Sequence, residues 1–169
     1  MRSPAAFDPL RLLRELNDGG VRYVVIGAFA GRLLGSPTMT RDLDICYARD
    51  RPNLEALSQV LQALHARLRG VDEDLPFQLD ARALAAGDSF TFVTDAGDLD
   101  VLGTPQGTKG YDDLSSTATR TDLDGLVVHV TSIDDLIRMK RAAGRPKDLI
   151  EVEVLAALRD EIDHPSDEP

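Results

Sequence analysis

Two short segments of the sequence each carry a pair of aspartates separated by one apolar residue. Asp42 and Asp44 lie in "RDLDIC", and Asp98 and Asp100 lie in "GDLDVL". Side chains alternate along a β-strand, so both carboxylates of a pair point to the same face of a sheet. Like charges side by side on one face repel, and burying them without a partner costs free energy. A bound cation is one way to relieve that repulsion.

Three interpretations fit the pair at Asp42 and Asp44. The first is an exposed edge strand whose outer face is simply acidic. The second is a surface calcium site, although the spacing does not match an EF-hand loop. The third is a magnesium site for nucleotide phosphates, because proteins hold Mg²⁺ with few carboxylates and leave its other positions to water and phosphate oxygens. If "GDLDVL" lies beside "RDLDIC" in one sheet, three or four carboxylates converge, as two-metal phosphoryl transfer requires, and one acid lies near the attacking hydroxyl.

A glycine upstream of the first pair adds a second feature. "VVIGAFA" places Gly27 after an apolar run typical of a buried strand and before a short helix or tight turn. Free backbone N–H groups at such a turn, and the missing side chain, favour close approach of a phosphate.

Hydrophobic periodicity and turn residues predict a mixed α/β domain, a small mixed sheet flanked by helices. Helices are predicted within residues 8–20, 51–70, 132–144 and 145–162, and strands within residues 21–27, 40–48, 90–94, 98–103 and 126–133. We expect one domain over residues 1–160 and an acidic, flexible tail over 161–169.

Composition narrows the functional classes. The single cysteine, Cys46, excludes an internal disulfide and favours a reducing cytoplasm, and no segment approaches the ~20 apolar residues of a membrane-spanning helix. The net charge of −10 argues against nucleic-acid binding over the whole surface. One acid-free stretch is locally basic, since it contains Arg138, Lys140, Arg141, Arg145 and Lys147.

In this order the motifs resemble those of the nucleotidyltransferase superfamily, which has the polymerase-beta-like fold. The family pattern is a hydrophobic residue, Gly-Gly or Gly-Ser, a helical turn, Asp-hydrophobic-Asp/Glu on the next strand, and a third Asp on a later strand. Here "VIGAFAGRLLGSPTMTRDLDI" precedes "GDLDVL". With "DLIRMKRAAGRPKDL" near the end, the chain is most similar to the small AbiEii-like (MenT-like) nucleotidyltransferases of bacterial toxin–antitoxin systems, over roughly residues 20–158.

The resemblance implies that Asp42 and Asp44 are metal ligands and catalytic residues. One of Asp98 and Asp100 is implied as the third carboxylate, both a metal ligand and a catalytic residue. We prefer Asp100 because "LDVL" fits the family strand better and Asp98 abuts the turn. Gly27 would let the chain approach the nucleotide phosphates.

Several other residues are implied near the nucleotide. Ala28 stands where the family has Gly or Ser, and it keeps the backbone N–H. Lys140, Lys147 and Asp148 match family positions near the triphosphate and the active cleft. The resemblance implies that Lys140 and Asp148 are catalytic and that Lys140 and Lys147 bind the nucleotide, since a lysine offers phosphate a compact charge. Asp148 also fits a helix N-terminal acid that the helix dipole favours. Arg41, which precedes the first aspartate, is a further candidate to neutralise a phosphate or an acid.

The resemblance implies Mg²⁺-dependent transfer of a nucleoside monophosphate from an NTP to an acceptor hydroxyl, with release of pyrophosphate. The expected acceptor is the 3′ end of tRNA, bound through residues 138–147, and the protein would then be a toxin, possessing a cognate antitoxin as partner. The same chemistry on an antibiotic-like small molecule or a protein side chain is an alternative. A non-catalytic antitoxin or binding module with this fold is another, and the presence of all four aspartates weighs against it.

Overall fold

A computed structural model of the chain, which describes residues 3–166, contains one sheet of seven strands with helices around it. The strands are β1 (Tyr23–Ile26), β2 (Asp42–Tyr47), β3 (Arg67–Leu68), β4 (Ser89–Thr94), β5 (Gly97–Leu102), β6 (Thr119–Leu123) and β7 (Leu126–Val130). The helices are α1 (Pro9–Asp18), α2 (Gly27–Leu34), α3 (Arg51–Ala63), α4 (Ala81–Ala86), α5 (Tyr111–Thr117), α6 (Ile133–Ala143) and α7 (Pro146–Asp163). The mixed α/β class predicted from the sequence is confirmed.

The strand order brings the two acidic segments together. It runs β3-β4-β5-β2-β1-β7-β6, with β2 parallel to β5 and antiparallel to β1. The β2–β5 register pairs Asp42 with Asp98 and Asp44 with Asp100. The expectation that "GDLDVL" lies beside "RDLDIC" in one sheet is therefore confirmed.

The residues between the aspartates hold these two strands in the core. Leu43 and Ile45 of β2 and Leu99 and Val101 of β5 are fully buried. They belong to one apolar cluster with leucines of α1 and α3. Because side chains alternate, this anchoring turns the carboxylates to the opposite face of the sheet.

Local capping fixes the junction between the last two helices. The Ser132 hydroxyl accepts a hydrogen bond from the Asp135 N–H at the start of α6, and Gly144, with φ of 66°, ends that helix. Pro146 occupies the first turn of α7, where a missing N–H costs nothing. The short α6–α7 connection therefore brings the end of α6 beside the start of α7.

One helix prediction was too long. The helix predicted to reach Gly70 ends at Ala63, His65 takes a positive φ of 49°, and Arg67–Leu68 join the sheet as β3. The Arg69 N–H donates to the Thr91 carbonyl, so pairing with β4 outweighs the helical pattern of this segment. The short elements α4, α5 and β6 were not predicted, because each carries too few residues to show a clear period.

The predicted acidic tail over residues 161–169 begins inside α7, which runs to Asp163. Residues 167–169 of that tail lie outside the described residues. Among residues 3–166, no helix is long and apolar enough to cross a membrane.

Candidate active site

Three half-buried carboxylates converge on the face of the sheet opposite the buried residues Leu43 and Ile45. One oxygen each of Asp42, Asp44 and Asp100 lies within 4.8 Å of the other two. β2 supplies the first two, and β5 supplies the third directly beside Asp44. Asp98 lies outside this group, so the structure brings together the three residues preferred from the sequence. We call them the acidic triad.

The acidic triad is electrostatically unfavourable without a cation. Burial, followed by the negative charges of Asp42 and Asp100, raises the pKa of Asp44 to about 8. Burial also raises the pKa of Asp100, against the opposing effect of the Arg69 guanidinium. Three converging carboxylate oxygens are the hard donors that Mg²⁺ prefers, and a divalent cation would remove the repulsion among them. The donor set therefore fits magnesium.

Asp44 of the triad leaves no space for a side chain at Gly27. Gly27 opens α2 with φ of 69°, and a Cβ atom there would lie 2.0 Å from Asp44 Oδ2. Asp44 pairs with Ile26, which is the last residue of β1 and the N-cap of α2. The Ile26 side chain makes no capping hydrogen bond. The unpartnered N–H groups of the first turn of α2 therefore lie next to the triad, where they favour an anion.

Thr40 orients the first carboxylate. Its hydroxyl oxygen lies 2.9 Å from Asp42 Oδ1 and donates a hydrogen bond to it. Sequence reasoning missed this residue, although its position two residues before Asp42 was visible in the chain.

Arg69 pairs with both aspartates of β5. Its Nη2 lies 2.7 Å from Asp100 Oδ1, and its Nε lies 3.4 Å from Asp98 Oδ2. The contact with Asp100 joins residues 31 positions apart, and the segment was predicted to be helical. No sequence pattern therefore indicated that Arg69 belongs to the site.

Asp148 is buried among cations. Its side chain is 1% exposed, with Arg145 Nε 2.6 Å from Oδ2 and Lys140 Nζ 3.6 Å from Oδ1. The hydrogen bonds from Arg145 are the largest cause of the lowered pKa of Asp148. Lys140 also lowers the pKa of Asp44, so its ammonium acts on the triad as well as on Asp148.

Two cavities meet at the triad. The charged cleft, of about 480 Å³, is bordered by Ala28, the triad and four cationic side chains: Arg41, Lys140, Arg145 and Lys147. The neutral cleft, of about 600 Å³, shares Asp44, Asp100, Lys140, Arg145 and Asp148 with it. The rest of its described lining is uncharged and includes Phe90, Leu102 and Met139.

The structure divides the predicted basic stretch. Lys140, Arg145 and Lys147 line the charged cleft. Arg138 instead pairs with Asp113 at 3.1 Å and Asp135 at 3.0 Å. The guanidinium of Arg138 is therefore paired with two acids and is not part of the described lining of the charged cleft.

No family model matches the chain, and no curated protein matches it by sequence. Solved structures do match. The lincosamide antibiotic adenylyltransferase LnuA, solved with lincomycin bound, has a TM-score of 0.61 at 13% identity, over 90% of this chain and 99% of that one. An antigenic nucleotidyltransferase-like protein from Paracoccidioides brasiliensis has a TM-score of 0.53 at 22% identity, over 92% and 78%. The antibiotic-resistance factor ANT(2'')-Ia, in its solution structure, has a TM-score of 0.52 at 14% identity, over 92% and 89%.

These likenesses establish the fold. The chain has the nucleotidyltransferase fold, and it carries an acidic triad on β2 and β5. The finer resemblance to AbiEii-like proteins stays a prediction.

Proposed function

We propose that this protein transfers a nucleoside monophosphate from an NTP to an acceptor hydroxyl, with release of pyrophosphate and with Mg²⁺ as the metal. The observation that carries the proposal is the convergence of Asp42, Asp44 and Asp100 beside the N-terminus of α2. Carboxylates arranged around a divalent cation, next to free N–H groups, suit the reacting end of a nucleotide triphosphate.

In this proposal Asp42 and Asp44 hold the metal, and Asp100 serves the acceptor. Bound magnesium would offset the phosphate charge and help align the attacking and leaving oxygens. Asp100 would accept the proton of the acceptor hydroxyl as its oxygen bonds to the α-phosphorus. The bond from that phosphorus to the bridging oxygen breaks, and pyrophosphate leaves. The raised pKa of Asp100 brings this carboxylate closer to the range in which a general base works best.

The charged cleft would take the triphosphate. Arg41, Lys140 and Lys147 line it, and the first turn of α2 adds backbone N–H groups at Gly27 and Ala28. Fixed cationic groups aimed at phosphate oxygens stabilise charge that develops during transfer. Asp148 would act mainly through Lys140 and Arg145, because its own oxygens are already bonded to them.

We propose the 3′ end of tRNA as the acceptor, on the basis of the resemblance to AbiEii-like toxins. Lys140, Arg145 and Lys147 at the cleft are the cations available for the RNA backbone. A toxin role and a cognate antitoxin follow from the same resemblance.

A small-molecule hydroxyl is the second candidate acceptor. The neutral cleft has the volume of a drug-sized site, and its lining beyond the shared residues is uncharged. The fold likeness to LnuA, which binds lincomycin, supports the same alternative.

A labelling assay tests both acceptors. The full chain is incubated with Mg²⁺, each α-labelled NTP, and either total tRNA or a panel of lincosamides and aminoglycosides. Label on tRNA supports the first acceptor, and label on a small molecule supports the second. Asp42→Asn is the matched control and should transfer nothing. A folded wild-type protein that labels neither class contradicts both proposed acceptors, and one that also leaves every protein in a cell extract unlabelled contradicts the proposed function.

A growth assay tests the toxin role separately. Strong expression of the wild-type chain should arrest growth, whereas expression of Asp42→Ala at the same level should not. Equal growth with both chains contradicts a toxin role.

A further inference from the structure

A carboxylate at the rim of the charged cleft is bonded to hydroxyl groups. Glu151, on α7, accepts a hydrogen bond from Ser36 Oγ at 3.0 Å with Oε1 and one from Thr38 Oγ1 at 2.7 Å with Oε2. The Ser36 oxygen also lies 3.3 Å from the Thr38 N–H and accepts from it. Both oxygens of Glu151 are therefore engaged by one short segment, residues 36–41, which we call the 36–41 loop.

The 36–41 loop joins two parts of the candidate site. It belongs to no helix or strand, and it connects the end of α2 to the start of β2. It carries Thr40, whose hydroxyl donates to Asp42, and Arg41, which lines the charged cleft. The position of this loop therefore affects both a triad carboxylate and a cation of the cleft.

Glu151 is the link between this loop and a rigid element. Its contacts with Ser36 and Thr38 span 115 and 113 positions of the chain. The helix α7 is anchored on both sides of Glu151. Asp148 is buried before it, and Val152 and Leu155 are packed in the core after it. A carboxylate on such an anchored helix orders the loop before any ligand binds. Without it, the loop would lose its conformational freedom on binding, and that loss would weaken the affinity.

We propose that Glu151 is a positioning residue that fixes the 36–41 loop against α7 and so pre-forms the wall of the charged cleft. Glu151 is not one of the three converging carboxylates, and both of its oxygens accept hydrogen bonds from the loop. The effect on nucleotide rests on the proposed function, whereas the effect on the loop does not.

Trypsin cleavage after Arg41 tests the loop directly in the nucleotide-free chain. Glu151→Ala should be cut after Arg41 about tenfold faster than wild type, because loss of hydrogen bonds to a charged group opens the loop. Cleavage after Lys109, an exposed residue of a different loop, should not change, which would show that the opening is confined to the 36–41 loop. Glu153→Ala is the matched control, since Glu153 is an exposed acid of the same helix. Equal Arg41 cleavage in Glu151→Ala and wild type overturns the proposal.

Kinetics test the effect on nucleotide. Glu151→Ala should raise the KM for the NTP about tenfold with a smaller change in kcat, because a preformed wall contributes to binding in both ground and transition states. Thr38→Val should give a smaller change in the same direction, because the Ser36 contact with Glu151 remains. The double variant should add less than about twofold to Glu151→Ala, because Glu151→Ala already removes the Thr38 contact.

The conservative variant separates positioning from a merely structural role. The side chain of Glu151→Gln keeps one acceptor oxygen, and its amide N–H group can donate to a loop hydroxyl. The KM of Glu151→Gln should therefore lie within about threefold of the wild-type value. Fully additive effects of Glu151→Ala and Thr38→Val, or an unchanged KM in Glu151→Ala, overturn the proposal. If the wild-type chain transfers nothing, the proposed function fails, yet the Arg41 cleavage result still decides whether Glu151 holds the loop.

Discussion

Two groups of aspartates line the charged cleft, the half-buried triad and the buried Asp148, and their carboxylates meet opposite electrostatic surroundings. In the acidic triad, Asp44 lies beside Asp42 and Asp100, and its pKa is raised to about 8. Asp148 is 1% exposed, yet its pKa is lowered, because Arg145 and Lys140 surround it. The same residue type therefore meets excess negative charge in one place and matched cations in the other.

This difference separates a site that needs an outside cation from one that the chain completes by itself. Crowded like charges cost free energy, and groups with strongly perturbed pKa values cluster at functional sites. A buried ion pair that is internally complete supports the neighbouring geometry. The comparison therefore supports the proposed roles, in which the triad is the reacting centre and Asp148 is its support.

Removing a charge from the triad should have the largest effect. Asp44→Asn should lower nucleotidyl transfer at least about a thousandfold, because it removes a metal ligand at the reacting centre. At about pH 8 without metal, the same variant should raise the free energy of unfolding by about 1 kcal/mol, because the repulsion with Asp42 and Asp100 is relieved. Transfer of label and urea unfolding in a chelator measure the two effects. Lower stability of Asp44→Asn under those conditions would contradict the account of the triad.

Removing the charge of Asp148 should have the opposite sign for stability. Asp148→Asn should lower the free energy of unfolding by about 3 kcal/mol, since it leaves Lys140 and Arg145 without their buried partner. Urea unfolding measures the loss, and Glu153→Gln, an exposed acid on the same helix, is the control that should change stability little. If Asp148→Asn were as stable as Asp44→Asn, the two groups would not differ in kind.

The triad was predictable because it depends on the alternation of side chains along two short strands, which the sequence displays directly. The alternation in "RDLDIC" and "GDLDVL" set which side chains share a face, and the parallel β2–β5 register then brought Asp100 to Asp44. The ends of α6 and α7 were equally visible, since Ser132, Gly144 and Pro146 are residues that begin or end helices.

The supporting contacts were not predictable, because they join distant parts of the chain. Glu151 binds Thr38 from 113 positions away, and Arg69 reaches Asp100 from a segment whose leucine spacing favoured a helix. Asp148 was visible in "GRPKD", but the sequence left two interpretations, a catalytic acid and a helix N-terminal acid. The structure adds its cationic partners, and a catalytic role for Asp148 stays a prediction.

A methyl group at Gly27 should test how closely the chain fits the triad. In Gly27→Ala the Cβ would meet Asp44 Oδ2 at 2.0 Å, whereas in Gly20→Ala, at a similar positive φ of 73°, nothing lies within 4 Å. Gly20→Ala should therefore lose only the backbone cost of about 1 kcal/mol, and Gly27→Ala should lose about 2 kcal/mol or more. Transfer should fall in Gly27→Ala alone. Equal losses of stability and activity in the two variants would show that Gly27 serves the backbone and not the triad.

The dependence of the free energy of unfolding on pH should have opposite signs for the triad and for Asp148. The pKa of Asp44 is about 8 in the folded chain and 3.8 ordinarily, so the folded state binds more protons between those values. The contribution of Asp44 should therefore make the metal-free protein less stable as pH rises from about 5 to about 8, by at most about 1.4 kcal/mol per unit. The lowered pKa of Asp148 acts in the other direction, because its stabilisation is present above the ordinary value and is lost as pH falls through the folded value.

Unfolding by urea across this pH range, in a chelator, checks both signs. The difference between wild type and Asp44→Asn should grow as pH rises, and Mg²⁺ should reduce it, because a cation that binds only the folded state adds stability. The difference between wild type and Asp148→Asn should stay constant over the same range and shrink only below about pH 4. A wild-type minus Asp44→Asn difference that is flat from about pH 5 to about pH 8 would mean that the triad is already neutralised within the chain, as Asp148 is.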